Sequence, residues 1–331
     1  QNIYFIKFII FFMIHFFVFK NIASSSRIIK LSLSYSILVL SMLFLIDNVS
    51  SSEAQKIKDV ELIINQVNNG TYLLVGKGGN IGLSVGDDGV LLIDSQFEQL
   101  TDKILSSINK ITGKPVRFVI NTHWHQDHTS GNENLVNNGA IVVAHENVRE
   151  RLSTEQFVDF LNREYQPSPI NALPTITYNE SITLYFNDDQ IDIYHIPHSH
   201  TDGDSIIFFN KDNVVHTGDI FVNGRYPFID HSSGGSIDGI ITGIEKIISI
   251  INNETKIIPG HGLLSNHEEL QNYLIMLKDI RQQVQTMVNN GANLDEIIES
   301  NITTNYDSLY SDSFINSEDF LGFVYNDMIY K

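Results

Sequence analysis

The chain has 331 residues and a formal net charge of −18, because 39 Asp and Glu outnumber 21 Lys and Arg. With 42% hydrophobic residues, it is long enough for one large domain or two modest ones, and fibrous or wholly disordered classes are excluded. The acidic balance argues against a nucleic acid partner, and the absence of Cys means that any metal must be held by His, Asp or Glu.

Two apolar runs open the chain, Ile3 to Phe19 and Leu31 to Ile46. The second run follows two basic residues and precedes a Ser-rich segment ending at Ala54, which is the organisation of a secretory signal. We therefore predict cleavage after Ala54 and an exported domain, periplasmic or secreted. If the runs are retained, residues 1–54 predict a membrane anchor with the domain outside the cytoplasm. Alternatively, the first run was translated from sequence upstream of the true start codon and is not part of the protein.

From residue 55 onward, short β-type runs alternate with helix-like stretches. The first half predicts strands at 72–75, 81–85 and 90–93, a helix near 101–111, a strand at 116–120, a helix near 131–138 and a strand at 140–144. The second half predicts strands near 182–186, 191–196, 205–209 and 214–216, a helix at 238–250, a strand at 256–258, a helix at about 267–289 and an acidic tail of short helices. Two such halves predict a sandwich with the helices outside.

The strongest chemical signal is the segment 121–128, NTHWHQDH, directly after a predicted apolar strand. It places four potential metal ligands within six residues. A buried strand does not explain them, because each would lose water without gaining apolar contact, whereas a metal gives each lone pair a partner. His123 and His125 can converge on one ion, and Asp127 and His128, beyond the turn, are placed to hold a second.

Three more ligand-type residues follow predicted strands downstream: His200 in HSHTDGD, Asp219 in HTGD and His261 in PGHG. Strand ends are where sheet folds collect functional residues. Together with the first cluster they supply seven groups. Two ions with three or four protein ligands each and a shared water need about that number.

This ordered set of motifs resembles the metallo-β-lactamase-fold hydrolase superfamily over about residues 55–270. The resemblance implies an α/β fold, a four-layer αββα sandwich of two mixed β-sheets with outer helices, and two zinc ions per chain. It assigns His123, His125 and His200 to one ion, Asp127, His128 and His261 to the other, and Asp219 to a bridging position. Residues 271–331 are expected to form a helical extension packed on the same domain. The segment 221–236 is similar to exported bacterial members described only as metallohydrolases.

The sequence differs from several known subgroups of this superfamily, and these differences reduce the number of expected substrates. The best-known metallo-β-lactamase subclass carries Cys where Asp219 stands. The glyoxalase II type shares the Gly-Asp bridge but has a basic carboxyl-terminal domain for glutathione, whereas the region after Gly262 is acidic here. The nuclease branch needs an extra domain and a basic surface. Glutathione thioesters and nucleic acids are therefore disfavoured.

These features predict an exported zinc-dependent hydrolase of a small ester, lactone, thioester or lactam, β-lactams included. Two zinc ions sharing a water lower its pKa from 15.7 towards about 7, so hydroxide is available to attack a carbonyl. Asp127 is the expected catalytic residue, which orients this nucleophile. Two alternatives stay open: an iron-dependent enzyme of the same fold with oxygen or sulfur chemistry, and a non-catalytic periplasmic accessory protein that holds zinc for structure.

Residues near the ligands are predicted to support the site. Arg225, Tyr226 and His231 follow Asp219 closely and are predicted to bind a substrate carboxylate or oxyanion, with packing as the alternative. Asp94 ends an apolar strand and is predicted to hydrogen-bond the metal loop and orient a ligand His.

Four further residues are predicted to lie outside the ligand set. We expect His145 and His198 at the surface or behind the ligands, because the seven assigned groups leave them no vacancy. His216 is expected in the core of its strand, and Trp124, the only Trp, beneath the metal loop.

Overall fold

The computed structural model describes residue 57, residues 59–311 and residues 314–329. The predicted signal or anchor segment, residues 1–54, lies outside this range, so its fate stays a prediction. Among the described helices, none combines the length and the apolar composition needed to cross a bilayer.

The described residues form two large sheets, a small hairpin and covering helices. The strands are β1 (Ile63–Gln66), β2 (Thr71–Val75), β3 (Ile81–Gly86), β4 (Gly89–Ile93), β5 (Val116–Ile120), β6 (Ile141–His145), β7 (Gln156–Val158), β8 (Arg163–Tyr165), β9 (Ile176–Tyr178), β10 (Ser181–Phe186), β11 (Asp189–His195), β12 (Ser205–Phe209), β13 (Val214–His216) and β14 (Lys256–Ile258). The helices with described bounds are α1 (Thr101–Asn109), α2 (Gln126–Thr129), α3 (Asn132–Asn137), α4 (Glu146–Ser153), α5 (Ile237–Ile250), α6 (His267–Asn289), α7 (Leu294–Glu299), α8 (Thr304–Tyr310) and α9 (Ser317–Ile329).

Both large sheets are mixed. The first has the strand order β1-β2-β3-β4-β5-β6-β9, antiparallel from β1 to β4 and parallel from β4 to β9. The second has the order β10-β11-β12-β13-β14, antiparallel up to β13, with β14 parallel to β13. Strands β7 and β8 form a separate hairpin.

Apolar side chains on alternate positions of each strand hold the layers together. In β4, Leu91 and Ile93 pack between the two sheets, whereas Val90 and Leu92 pack outward under α1 and α3. The outer face of the second sheet is covered by α5, α6, α7 and α9. Each fully buried aliphatic side chain contributes about 1.5–3 kcal/mol to folding. The predicted four-layer α/β sandwich of two mixed sheets with outer helices is confirmed.

The strand ends position the site. The segment 121–128 continues from β5. Asp219 lies three residues after the end of β13, and His261 lies three residues after the end of β14, the strand parallel to β13. His200 follows β11, which runs parallel to β13 because both are antiparallel to β12. The ligand-type residues of the second sheet therefore emerge at one edge.

The acidic tail belongs to the layer that covers the second sheet. Helix α6 runs through residue 270, where the sequence places the end of the catalytic region, so one helix spans that boundary. Ile297 of α7 and Phe320 of α9 are fully buried in the same cluster as Leu277 of α6. This layer packs behind the loops that follow β13 and β14.

Candidate metal centre

The seven side chains predicted as ligands lie together. Their potential ligand atoms form three overlapping groups, each with all its atoms within 4.8 Å of one another: His123, His125 and His200; His123, His128 and Asp219; Asp127, His128 and His261. Because the groups share members, they form one continuous site. The first and third groups are the two sets that the resemblance implies for two ions.

The first group is oriented by hydrogen bonds on the far side of its rings. His125 Nδ1 and His200 Nε2 lie 2.9 Å apart and face the site. The other nitrogen of His125, Nε2, lies 3.0 Å from Asp230 Oδ2, and His200 Nδ1 lies 2.8 Å from the carbonyl oxygen of Phe228. Partners of this kind fix the tautomer and direction of a metal-binding ring.

Among the described residues, the buried His123 Nε2 faces this site without a hydrogen-bond partner, and the buried Asp219 Oδ1 has only His128 Nε2 beside it, at 3.3 Å. A buried polar atom left unsatisfied costs about 1–3 kcal/mol. Burial, with the neighbouring rings of His128 and His200, also holds the pKa of His123 well below its usual range, so this ring is neutral and offers a lone pair. The two atoms therefore fit a bound cation.

The third group and Asp219 have the spacing of atoms that share an ion. Asp127 Oδ2 lies 3.2 Å from His261 Nε2 and 3.6 Å from His128 Nε2. Asp219 places Oδ1 3.3 Å from His128 Nε2 and Oδ2 3.4 Å from His261 Nε2. Two ligands about 2.0–2.1 Å from a tetrahedral zinc ion are about 3.4 Å apart. These atoms are spaced accordingly.

Before any metal binds, the carboxylates of this group raise the pKa values of its histidines. Burial alone would lower the pKa of His128, but the carboxylates of Asp219, Asp127 and Asp94 outweigh it and raise that pKa well above its usual value. In the same way Asp219 and Asp127 raise the pKa of His261 to about 9. Both histidines therefore hold protons beside carboxylates in the absence of metal. A divalent cation bound here replaces those protons.

Asp94 supports the loop from below. Its Oδ2 lies 2.8 Å from His128 Nδ1, and its two oxygens accept hydrogen bonds from the backbone N–H and the hydroxyl of Thr122, each at 2.7 Å. Asp94 is fully buried and adopts a positive φ of 66°. It makes the hydrogen bond to the metal loop that the sequence predicts.

Two glycines allow neighbouring loops to approach the ligands. A Cβ on Gly79 would lie 2.1 Å from His128 Cε1, and one on Gly260 would lie 2.0 Å from Asp219 Oδ1. Any larger residue at either position would displace a ligand-type side chain.

Trp124 lies between two of the histidines in sequence and packs beneath the loop, as predicted. It is buried, and its Nε1 donates to Ser233 Oγ at 3.0 Å. Its ring packs edge-on against Tyr165 of β8, with centroids 5.7 Å apart. Trp124 thereby joins the metal loop to the β7–β8 hairpin.

A cavity of about 470 Å³ opens above the seven residues. Its floor includes His125, Asp127, Asp219 and His261. Its walls are Lys77, Phe97, Gln126, Leu161, Arg163, Tyr165, Val222, Arg225, Tyr226, Phe228, Phe314 and Ile315. The site is therefore open to a small molecule.

The three predicted substrate residues have different surroundings. Arg225 lines the cavity. Tyr226 also borders it but is only 1% exposed, and its hydroxyl donates to Asp307 Oδ1 at 2.9 Å, which favours the packing alternative. His231 lies 3.0 Å from Asp327 Oδ1 and lines a second cavity behind Phe228 instead. The structure therefore places His231 against α9 and outside the residues that line the metal cavity.

The remaining histidines lie outside the three ligand groups. His216 is fully buried in β13, as predicted, and His198 is exposed with Nδ1 3.1 Å from the carbonyl oxygen of Gly234. His145 is buried and stacks on His195 with ring centroids 3.6 Å apart. The seven assigned side chains therefore account for the site.

Sequence reasoning missed Asp230, Lys77, Arg163 and Tyr165. Asp230 is 1% exposed and follows the buried Ile229, and an acidic residue directly after an apolar one was the available signal. The other three reach the cavity from the loop after β2 and from β8, so only tertiary structure brings them to it.

Comparisons with known proteins agree with this geometry. Residues 74–277 match the family described as the metallo-beta-lactamase superfamily. A metallo-beta-lactamase type 2 of Bacillus cereus is 21% identical over 250 residues, covering 70% of this chain and 92% of the relative. A hydroxyacylglutathione hydrolase of Pelagibacter ubique is 26% identical over 205 residues, covering 61% and 70%. A solved structure of a double mutant of the sec-alkyl sulfatase PisA1 has a TM-score of 0.63 at 16% identity, covering 84% of this chain and 51% of that one.

Proposed function

The chain belongs to the metallo-beta-lactamase superfamily, and from that premise we propose that it is a zinc-dependent hydrolase with two ions held by the seven clustered side chains. The observation that carries the proposal is the convergence of these side chains on the floor of an open cavity of about 470 Å³. A purely structural zinc site closes its coordination sphere with four protein ligands and needs no such opening.

The donor set supports zinc. Five imidazole rings and two carboxylates offer nitrogen and oxygen atoms and no sulfur, a combination that suits Zn²⁺. We assign His123, His125 and His200 to one ion and Asp127, His128 and His261 to the other. Asp219 is assigned between them, because it groups with His123 of the first set and His128 of the second, with Oδ1 3.3 Å from His128 Nε2 and Oδ2 3.9 Å from His200 Nε2.

When bound, zinc would supply hydroxide near neutral pH and polarise the carbonyl oxygen beside the bond to be cleaved. The chain provides the remaining functions. Asp127 borders the cavity and stays a carboxylate: burial alone would raise its pKa, but His128 and His261 outweigh it and hold that pKa well below the usual range. It can therefore accept a hydrogen bond from a water molecule and orient it. Phe228, stacked on His125 with centroids 5.8 Å apart, shields one side of the site from water.

The proposed substrates are small esters, lactones, thioesters or lactams. The curated relatives named above are a metallo-beta-lactamase and a hydroxyacylglutathione hydrolase. Their names refer to the hydrolysis of different bonds. They therefore support hydrolysis as the reaction class more strongly than they support any one type of bond. The chain has Asp219 and no Cys in the site, and its tail is acidic. These features favour neither the Cys-containing lactamases nor glutathione substrates.

The test is metal analysis together with a substrate panel. Protein produced without added zinc is analysed for metal, stripped with a chelator and titrated with Zn²⁺ while hydrolysis of chromogenic lactams, lactones, thioesters and phosphodiesters is followed. We expect activity to saturate at two zinc ions per chain. One iron per chain, or full zinc occupancy without hydrolysis of any substrate, would overturn the proposal.

A further inference from the structure

Three cationic side chains from three different segments surround the mouth of the metal cavity. They are Lys77 in the loop after β2, Arg163 in β8 and Arg225 in the loop after Asp219, and we call them the cationic rim. Among the residues that the structure describes, none of the three forms an ion pair, and the other Lys and Arg side chains without an ion pair do not line the cavity. In a chain with an excess of 18 negative charges, three such cations grouped at one cavity form a local positive site for an anion.

Arg163 is held at the cavity without a carboxylate. Its guanidinium lies over the ring of Tyr165, 4.9 Å from the centroid, and Tyr165 itself lines the cavity and packs on Trp124. Such a cation–π contact directs a cation without neutralising its charge. The hairpin therefore presents a positioned positive charge.

Apolar side chains form most of the rest of the cavity wall. Phe228 and Phe160 pack with centroids 5.5 Å apart, and Phe314 packs edge-on against both. Phe314 is 62% exposed and Leu161 36% exposed, although both border the cavity. Exposed apolar side chains at a concave site are typical of a surface that an apolar ligand group covers.

We propose that the substrate is an amphipathic anion, whose acidic group binds at the cationic rim and whose apolar group packs on Phe228, Leu161 and Phe314. Lys77, Arg163 and Arg225 then determine the specificity for anions. Arg163 contributes to it from the β7–β8 hairpin. This inference rests on the proposed function, because it assigns the occupant of the same cavity.

Binding of three probes to the zinc-loaded full chain tests the substrate class without relying on turnover. Calorimetry at low ionic strength compares 4-phenylbutyrate, which has both groups, with the neutral 4-phenylbutyramide and with butyrate. We expect 4-phenylbutyrate to bind at least about tenfold more tightly than either. Equal affinity for the acid and the amide would overturn the inference.

Variants separate the rim from the metal as the anion site. Lys77→Gln and Arg163→Gln should each weaken 4-phenylbutyrate about threefold or more and leave the amide unchanged, whereas Lys256→Gln, at the opposite end of β14, should change neither. Anion binding through zinc alone would leave all three variants like the parent, and that result overturns the inference.

Kinetics then separates this inference from the proposed function. For an anionic ester the rim variants should raise KM and leave kcat nearly unchanged, because they bind ground state and transition state alike. Hydrolysis with a KM that does not respond to Lys77→Gln, Arg163→Gln or Arg225→Gln would overturn the substrate class and leave the hydrolase intact. Rim-dependent binding without hydrolysis would overturn the hydrolase alone.

Discussion

Asp219 lies where the two sets of assigned ligands meet. Its Oδ2 is 3.4 Å from His261 Nε2 and 3.9 Å from His200 Nε2, and its Oδ1 is 3.3 Å from His128 Nε2. A carboxylate here offsets part of the repulsion between two dications. Its charge matters more than its shape.

We expect Asp219→Asn to retain the fold and about one zinc ion per chain, and to lower kcat about a hundredfold or more. Metal analysis after dialysis and steady-state kinetics check both values. Asp192→Asn, on β11 and outside the cavity, is the matched control. Two tightly held zinc ions with normal turnover in Asp219→Asn would remove Asp219 from the ligand set.

Asp230 acts on the site through His125. Its Oδ2 lies 3.0 Å from His125 Nε2, while its Oδ1 accepts from Ser232 Oγ at 2.5 Å and from the N–H of Ser233 at 3.2 Å. Burial would raise the pKa of Asp230, but the interactions with His125 and the two serines outweigh it and lower that pKa below its usual range. Asp230 is therefore a charged, positioned acceptor.

Replacement of Asp230 by Ala should weaken zinc at the three-histidine position about 10–100-fold, because His125 loses the partner that orients it. Competition with a chromogenic zinc chelator at neutral pH measures this affinity. Asp230→Asn should recover part of the loss, since an amide oxygen still accepts from His125. Ser232→Ala keeps the carboxylate and serves as control; an equal loss there would point to the loop fold instead.

At the scale of elements, helix α5 is tied to the loop that carries His200. The side chain of Ser236 accepts from the N–H of Gly239 at the start of the helix and donates to the carbonyl oxygen of His198 at 2.8 Å. The backbone N–H of Ser236 also donates to the carbonyl oxygen of Ser199. The start of α5 and the His200 loop therefore form one structural unit.

Ser236→Ala should lower the free energy of unfolding by about 1 kcal/mol, because the helix loses its cap. Urea unfolding of metal-free protein measures the change. Ser249→Ala near the other end of α5 is the control, since Ser249 is exposed and bonds only within its own helix. Equal effects of the two substitutions would show that the cap contributes nothing specific.

The helices and strands that the sequence predicts correctly are those in which an apolar run is bounded by polar residues. Strands β5, β12, β13 and β14 and helix α6 have the predicted bounds, because polar residues end each apolar run abruptly. Helix α2 was missed because its four residues include Asp127 and His128, which reveal ligand chemistry and no helical periodicity. The hairpin β7–β8 was missed as well, since its strands have three residues each and pack mainly through Val158 and Tyr165.

The candidate site was predictable to the same degree. Residues that follow strands were found because the sheet brings strand ends together. Lys77, Arg163 and Asp230 were not, because only the tertiary structure brings them to the site, as it brings Asp230 to His125. The sequence left the roles of Tyr226 and His231 open between substrate binding and packing, because nearness to Asp219 along the chain does not decide the direction of a side chain.

At the scale of the whole molecule, buried His216 couples stability to pH. Burial lowers its pKa to about 4, while its Nε2–H donates to the carbonyl oxygen of Asn80 and its Nδ1 accepts from the N–H of Gly218. In the unfolded chain its pKa is about 6.5. At pH values between these two pKa values, His216 binds a proton in the unfolded chain and not in the folded chain. The free energy of unfolding therefore falls as the pH decreases.

For metal-free protein we expect His216 alone to remove about 2 kcal/mol of stability between pH 7 and pH 5. Urea unfolding at the two pH values, compared between the parent chain and His216→Gln, isolates this contribution. The Gln variant should lose less stability on acidification. An identical pH dependence of the two proteins would contradict the neutral buried state of His216.

Export is the remaining proposal at this scale, and it concerns residues outside the described range. We propose that the mature protein begins near residue 55, because a basic flank, an apolar run and Ala54 precede it. Amino-terminal sequencing of protein produced in a bacterial host measures this directly. Retention of Leu31 to Ile46 would favour the membrane anchor.

Trp124 is the only tryptophan of the chain, and its ring lies between two partners with separate tasks. One is His125, an assigned zinc ligand with its ring centroid 4.8 Å away, and the other is Tyr165 of the hairpin, 5.7 Å away. The tryptophan fluorescence of the protein therefore comes from a single indole, which is buried and hydrogen-bonded to Ser233. Metal entry and displacement of the hairpin each alter the surroundings of that one fluorophore, so the protein contains its own optical reporter of both events.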